Sequence, residues 1–121
     1  MPSAATATSA YKANSVLTAP PERLVVMLYD GALRFLSQAS AAMTAGDIAR
    51  TNDRLKRAEA ILEELLVTLD LSAGEIAERL QAIYVFCSRH LSQARLERDP
   101  AKIDDVARLL AELREAWDQV S

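Results

Sequence analysis

The residues best suited to catalysis or metal binding are few, since the chain has one cysteine, Cys87, and one histidine, His90. Nucleophilic catalysis at Cys87 would need a nearby base, and His90, three residues further on, is the one candidate. A di-iron site would need two Glu-x-x-His motifs, and haem would need an axial ligand inside the core. The chain has no Glu-x-x-His motif, no glycine-rich phosphate loop and no Walker motif. We therefore predict that it is not an enzyme and holds no cofactor or metal.

Charge and hydropathy exclude several classes of partner. The chain carries 14 basic and 17 acidic side chains, a net charge of −3, and no segment is a basic patch, so we expect no nucleic-acid partner. No stretch reaches the roughly 18 uncharged apolar residues that a membrane span needs, and residues 1–10 lack the pattern of a secretory signal. A single cysteine fits a reducing compartment. These features predict one domain in the cytoplasm.

Strong helix formers dominate the composition, and the few helix breakers divide the chain into four helical segments. The start and stop signals are Pro21, Gly46, Asp47, a capping box from Ser72 to Glu75, and Asp99-Pro100. Short links between long helices force neighbouring helices to be antiparallel. The sequence therefore predicts an all-α fold, an antiparallel up-down-up-down four-helix bundle over residues 20–121. Its helices are expected at about 21–44, 48–69, 73–98 and 100–120.

The residues before the bundle fall into two parts. Residues 1–10 are small and polar and are predicted to be a flexible tail. Residues 11–19 carry the apolar groups Tyr11, Val16 and Leu17 without helical spacing, and we name this stretch the cap segment. One interpretation makes the cap segment a satellite of the core. The other makes it a reversible cover over an apolar groove, displaced when a partner arrives.

The first helix is apolar over more of its circumference than a bundle requires. Residues 24–29 are six apolar residues in succession, and Met27 and Leu33 lie outside the central stripes. Either the cap segment or a partner protein covers this extra surface. Gly31 costs about 1 kcal/mol relative to alanine in a helix, so it indicates close approach of a neighbouring helix or of a bound peptide.

The sequence thus predicts a protein that binds the helices of another protein. Two alternatives remain open: an obligate helical homodimer, whose extra apolar face pairs with itself, and a cofactor-binding bundle.

One long stretch has the pattern Tyr11-x-x-x-x-Val16-Leu17-Thr18-Ala19-x-Pro21-Glu22-x-Leu24-x-x-Met27-Leu28-Tyr29-Asp30-Gly31-x-Leu33-x-Phe35. Further along the chain come Leu69-Asp70, Gly74-Glu75-Ile76-Ala77, Leu80, Tyr84, Arg89-x-Leu91 and Leu113-Arg114-Glu115-Ala116-Trp117. In this pattern the chain resembles the flagellar secretion chaperone family FliS. It departs from that family at Pro20, where serine is common, and at His90, where arginine is common.

The resemblance implies a cytosolic chaperone that binds the C-terminal region of flagellin. Such a chaperone stops premature filament assembly and helps to present flagellin to the flagellar export gate. The resemblance also implies a helical bundle whose N-terminal segment lies over part of the binding surface and can be displaced. We expect a monomer or a weak homodimer.

On this basis we predict a set of partner-binding residues. The displaceable cover is expected to consist of Tyr11, Val16 and Leu17. The groove residues are expected to be Leu24, Met27, Leu28, Gly31 and Leu33, with Ile83, Tyr84 and Cys87 opposite. Leu110, Leu113 and Trp117 are expected in the core.

Overall fold

The computed structural model describes the backbone of residues 21–120 and the side chains of residues 23–117. Four long α-helices and one short 3-10 turn make up this part of the chain, which contains no β-strand. The predicted all-α class is therefore confirmed, whereas the flexible tail and the cap segment lie outside the described residues. The elements are α1 (Pro21–Thr44), α2 (Ile48–Val67), the 3-10 turn Leu71–Ala73, α3 (Glu75–Glu97) and α4 (Pro100–Val120).

The link between α1 and α2 follows from local chemistry at Gly46. Gly46 has a φ of +80°, in the left-handed region that glycine adopts without strain. Its N–H donates to the Met43 carbonyl at 3.1 Å, and the Asp47 N–H donates to the Ala42 carbonyl at 2.9 Å, which is a Schellman motif. The Asp47 carboxylate then accepts from the Arg50 amide at 3.1 Å and caps α2. The predicted stop at Gly46 and start at Asp47 are both confirmed.

The predicted capping box between Ser72 and Glu75 is wrong. The Asp70 carboxylate accepts from the Ser72 N–H at 3.1 Å and from the Ser72 hydroxyl at 2.6 Å. Because the Asp70 carboxylate, two residues before Ser72, accepts hydrogen bonds from both the N–H and the hydroxyl of Ser72, the chain bends into the 3-10 turn. Gly74, with a φ of +112°, joins this turn to α3. Glu75 pairs with Arg79 at 2.6 Å instead of returning to Ser72, and α3 begins at Glu75, later than expected.

The C-terminal end of α3 is a left-handed residue that is not glycine. Arg98 has φ +55° and ψ +50°, and the N–H of Asp99 donates to the Ala94 carbonyl at 3.1 Å. The Asp99 carboxylate accepts from the Ala101 amide at 3.0 Å, as the predicted cap requires, and α4 follows. For a residue with a Cβ the left-handed conformation costs roughly 1–2 kcal/mol, so this helix end is strained.

The helices pack in a ring in which each contacts its neighbours in sequence and α4 closes against α1. Asp30 of α1 pairs with Arg114 of α4 at 2.8 Å, and Ser40 donates to Asp104 at 2.8 Å. Residue numbers rise along α1 while those of its contacts fall along α4, so the two helices are antiparallel. The predicted up-down-up-down bundle is thereby confirmed.

The core runs along the space between the four helices. Its largest fully buried side chains are Tyr29, Leu36, Leu55, Leu62, Leu65, Tyr84, Cys87, Leu91, Ile103, Val106 and Leu110. Leu110 lies in the core as predicted, whereas Leu113 and Trp117 are half-buried and pack against its edge.

His90 lies between α3 and α4, where its Nε2 is 3.2 Å from the Asp105 carboxylate, so it joins two helices. Residues 21–120 contain no group of three or more His, Cys, Asp or Glu side chains placed to hold a metal ion. In the same part of the chain no helix has the length and hydropathy to cross a membrane.

Replacing Arg98 by glycine is expected to raise the free energy of unfolding by about 0.5–1 kcal/mol. The change removes the left-handed strain but adds backbone entropy to the unfolded chain, and the first effect is the larger. Thermal unfolding measures this as a rise in Tm of roughly 2–6 °C. The matched control is Gly46→Ala, which introduces the same kind of strain and is expected to lower Tm. A lower Tm for Arg98→Gly would contradict this account.

Candidate partner-binding groove

An apolar groove opens at the end of the bundle where α1 and α3 begin and α2 and α4 end. Its volume is about 480 Å³, and we call it the end groove. Its lining residues are Leu24, Val25, Leu28, Leu65, Thr68, Leu69, Asp70, Ala73, Ile76, Ala77, Leu80, Tyr84 and Trp117.

The end groove exists because two helices leave this end of the bundle incompletely filled. α2 stops at Val67 and α3 starts at Glu75, so residues 68–74 run across the end of the bundle as a turn. Ala73 and Ala77 line the wall with methyl groups, which leave space that a larger side chain would fill. The Asp70 side chain stabilises this turn, and the turn in turn sets where α3 begins and where the end groove lies.

The walls of the end groove offer apolar surface and few free polar groups. The hydroxyl of Thr68 donates to the Leu65 carbonyl at 2.7 Å, and the Asp70 carboxylate accepts from Ser72. An apolar groove whose polar groups are already bonded favours the apolar face of a helix over a charged or polar ligand.

Three side chains are joined by hydrogen bonds where the end groove meets the core. The Tyr29 and Tyr84 hydroxyl oxygens are 2.5 Å apart, and the Trp117 Nε1–H donates to the Tyr29 hydroxyl at 3.3 Å. Burial raises the pKa of both tyrosines, and their mutual hydrogen bond raises that of Tyr84 further. Both hydroxyls are therefore neutral at physiological pH. Both side chains are fully buried, and of the two Tyr84 lines the end groove whereas Tyr29 does not.

Among the residues predicted to bind a partner, three meet in the end groove. Leu24 and Leu28 are four residues apart, so they lie on one face of α1 and form one wall. Tyr84 of α3 also lines the end groove. Tyr11, Val16 and Leu17 of the cap segment lie outside the described residues.

Gly31 and Cys87 are placed in the interior of the bundle, away from the end groove. A Cβ added to Gly31 would lie 3.2 Å from the Ile61 Cδ1 of α2, so its smallness serves the contact between α1 and α2. Cys87 has no exposed surface. Because a partner cannot contact either side chain in this structure, we leave both out of the proposed binding surface.

Met27, Leu33 and Ile83 also lie outside the end groove. Met27 is 48% exposed, whereas Leu33 and Ile83 are half-buried and pack against the core. The wide apolar face of α1 therefore contributes side chains to the end groove, to the margin of the core and to the exposed surface. A role for these three residues in binding stays a prediction.

Sequence reasoning missed part of the end groove. Ile76 has the helical spacing of the apolar residues on the inner side of α3, but it is 75% exposed at the start of that helix and lines the end groove. Trp117 was expected in the core, and it lies at the boundary between core and groove. Neither residue type nor helical spacing distinguishes these groove positions from core positions. The difference depends on where the helices end and no longer cover their neighbours.

Comparison with known proteins places the chain among flagellar proteins. The family model described as flagellar protein FliS matches residues 4–121. The flagellar secretion chaperone FliS of Bacillus subtilis is 36% identical over 111 residues, which cover 92% of this chain and 83% of that protein. The protein of the same name from Vibrio cholerae is 37% identical over 116 residues, covering 92% and 85%. That of Salmonella typhimurium is 36% identical over 110 residues, covering 89% and 82%.

The position of Cys87 predicts that its thiol is unreactive in the folded protein. Burial raises the pKa of this thiol to about 11, so little thiolate forms at pH 8, and no surface is open to a reagent. Reaction with 5,5′-dithiobis(2-nitrobenzoate) is expected to be at least ~100-fold slower for the native protein than for the guanidinium-unfolded chain. Equal rates would place Cys87 at the surface and return it to the candidate binding residues.

Proposed function

Because the chain belongs to the FliS family of flagellar secretion chaperones, which are not enzymes, we propose that it binds the C-terminal region of flagellin in the bacterial cytoplasm. Binding keeps newly made flagellin from polymerising too early and delivers it to the flagellar type III export apparatus. The partner is a protein segment rather than a small molecule, a nucleic acid or a membrane.

The end groove is the observation that carries this proposal. Leu24 and Leu28 form one apolar wall, and Ile76, three-quarters exposed, stands at the opposite wall on α3. An exposed isoleucine beside an apolar groove gains stability when a second apolar surface covers both. Terminal flagellin helices are amphipathic, so their apolar stripes need such a surface while the protein is monomeric.

Coupled folding explains how a chain of this size serves a long flagellin segment. The C-terminal region of flagellin is disordered alone and forms helices on the chaperone, at an ordering cost of roughly 2–5 kcal/mol. A segment that extends beyond the end groove would reach further apolar side chains. Met27 on the outer side of α1, with Leu33 and Ile83 at the margins, is the proposed continuation of the contact surface.

Substitution of Ile76 by glutamine is expected to weaken flagellin binding by about 10- to 100-fold. This factor corresponds to the burial of one isoleucine side chain, about 1.5–3 kcal/mol. Titration calorimetry with flagellin, and with flagellin that lacks its last few tens of residues, measures the effect. The fold should survive, because Ile76 packs little in the free protein.

Leu96→Gln is the matched control for Ile76→Gln. Leu96 is another exposed aliphatic residue of α3, 81% exposed, but it lies near the far end of the helix and does not line the end groove. We expect Leu96→Gln to bind flagellin as the parent chain does. If the two variants bind equally well, the end groove is not the binding surface. If truncated flagellin binds as tightly as full-length flagellin, the proposed partner segment is wrong.

We further propose that the cap segment lies in the end groove until flagellin displaces it. Residues 11–19 directly precede α1, whose Leu24 and Leu28 form a wall of the end groove. At about 3.3 Å per extended residue, nine residues span up to roughly 30 Å, enough to return to the groove. Tyr11, Val16 and Leu17 supply the apolar groups that would fill it.

Replacing both Val16 and Leu17 by serine is expected to tighten flagellin binding by roughly 3- to 10-fold. A competing internal segment reduces the apparent affinity by the fraction of molecules in which the groove is open. The same titration measures the change, with Ser15→Ala as a control that leaves the apolar groups in place. Weaker binding by the double variant would mean that Val16 and Leu17 contact flagellin directly rather than compete with it.

A further inference from the structure

Three arginines gather around one aromatic ring and one carboxylate on the face that α1 and α2 share. The guanidinium carbons of Arg34 on α1 and Arg57 on α2 lie 5.4 Å and 5.9 Å from the centre of the Phe35 ring. Arg57 Nε also donates to the Asp53 carboxylate at 3.1 Å, and Arg54 pairs with the same carboxylate. We call these five residues the arginine cluster.

The arginine cluster carries more positive charge than the bundle neutralises. Its three guanidiniums and one carboxylate leave a formal charge of +2, in a chain whose net charge is −3. Arg34 forms an ion pair with none of the described residues, and Arg54 Nε is buried without a hydrogen-bond partner among them. Residues 1–20, which precede the bundle, contain no aspartate or glutamate. The N-terminal segment therefore cannot balance this charge, whereas a bound partner can.

The composition of the arginine cluster favours an acidic protein segment over other anions. Guanidinium groups bind carboxylates through paired N–H donors, and the side chains of Arg34 and Arg57 are exposed to a partner. Phe35, half-buried between them, offers apolar surface that a peptide side chain contacts and an inorganic anion does not. A nucleic acid is disfavoured, because its binding draws on phosphate contacts on the order of six to ten, and the cluster has an excess of two charges.

The arginine cluster continues the side of α1 that forms a wall of the end groove. Leu28, which lines the groove, and Phe35 are seven residues apart, so they lie on one stripe of α1, about 10 Å apart along its axis. Met27, 48% exposed, and Arg34 repeat this spacing on the neighbouring stripe. Arg34 Nη2 is 3.9 Å from the position that a Cβ on Gly31 would occupy, so the guanidinium lies toward Met27. A segment that leaves the end groove along α1 therefore passes Met27 and then reaches the arginine cluster.

We propose that the arginine cluster binds an acidic side chain of the flagellin segment whose apolar residues fill the end groove, an inference that rests on the function proposed above. Arg34 and Arg57 hold the carboxylate from two helices, and Phe35 contacts its methylene groups.

This contact gives the bound segment a register that apolar contacts alone do not specify, since those are non-directional. In a bound helix that runs alongside α1, the acidic residue lies about seven positions from the residue in the groove. Glu64 lies seven residues after Arg57 on the same stripe of α2, at a level nearer the groove, and it is exposed. Because Glu64 repels a carboxylate at its own level, a segment displaced by two turns toward the groove loses the favourable contact and meets a repulsive one.

The experiment compares two double variants that remove the same charge from opposite faces of the bundle. Arg34→Gln with Arg57→Gln removes the two exposed arginines of the cluster, and Arg89→Gln with Arg108→Gln removes two exposed arginines from α3 and α4. A third chain, Arg34→Lys with Arg57→Lys, keeps the charge of the cluster. Each is titrated calorimetrically with full-length flagellin at about 0.1 M and about 1 M NaCl, where the Debye length is about 10 Å and about 3 Å. Thermal unfolding of each variant is measured in parallel.

We expect the glutamine variant of the cluster to bind flagellin roughly 3- to 10-fold more weakly than the parent chain at about 0.1 M NaCl. At about 1 M NaCl the difference should fall below about twofold, because salt screens ion pairs between exposed groups. The lysine variant and the α3–α4 variant should stay within about twofold of the parent chain at both salt concentrations.

Three results would overturn the proposal. Equal weakening by the two glutamine variants would mean that net charge acts at long range without a local contact. Weakening that persists at about 1 M NaCl together with a lower Tm would mean that the arginines only stabilise the contact between α1 and α2. Unchanged affinity of the cluster variant would show that flagellin does not reach it. If the parent chain itself fails to bind flagellin, the proposed function falls, which is distinct from these three results.

Discussion

Across the diagonal of the bundle, the hydroxyls of Tyr29 and Tyr84 lie 2.5 Å apart and join α1 to α3. These two helices are not neighbours in the ring, and every extensive helix contact in the described chain involves another pair. A hydrogen bond between buried neutral groups is worth more in a low-dielectric interior, where neither hydroxyl has water as an alternative. The separation of α1 and α3 at this level is therefore set by two tyrosine side chains. Tyr84 of this pair lines the end groove, so the hydrogen bond lies where the groove meets the core.

The rest of the bundle is arranged so that one end stays open while the remainder is packed. α1 makes the most extensive contacts, with α2 on one side and α4 on the other. The Asp30–Arg114 and Ser40–Asp104 pairs connect α1 to α4 at two levels of the bundle. α3 packs against its neighbours over less surface, and it exposes Ile76, Phe86 and Leu96. A partner that covers the beginning of α3 thus adds apolar contact where the bundle itself supplies least.

Sequence alone gave the number of helices, their order and most of their ends, because the signals for these features are local. Gly46 ends α1 through its left-handed backbone conformation, and the Asp47 carboxylate caps α2 through an amide three residues further on. Both helix ends are therefore determined by neighbouring residues. The capping box at Ser72 failed for a reason of the same kind, since Asp70 offers a stronger acceptor to the same residue. Three of the residues predicted to bind a partner, Leu24, Leu28 and Tyr84, line the end groove. They lie on stripes that face other helices, so periodicity and resemblance were enough to single them out.

The remaining site residues depend on contacts between helices, which a stripe of apolar residues does not specify. Gly31 and Cys87 have the residue types of a binding surface, but a neighbouring helix already covers both. Ile76 has the spacing of a core residue, but α3 begins beyond the point where α2 could cover it. The difference between core and groove is therefore decided by where helices end, not by which residues they contain. In this fold the 3-10 turn at Leu71–Ala73 is that end, so the carboxylate of Asp70 helps to determine a surface whose walls are almost entirely apolar.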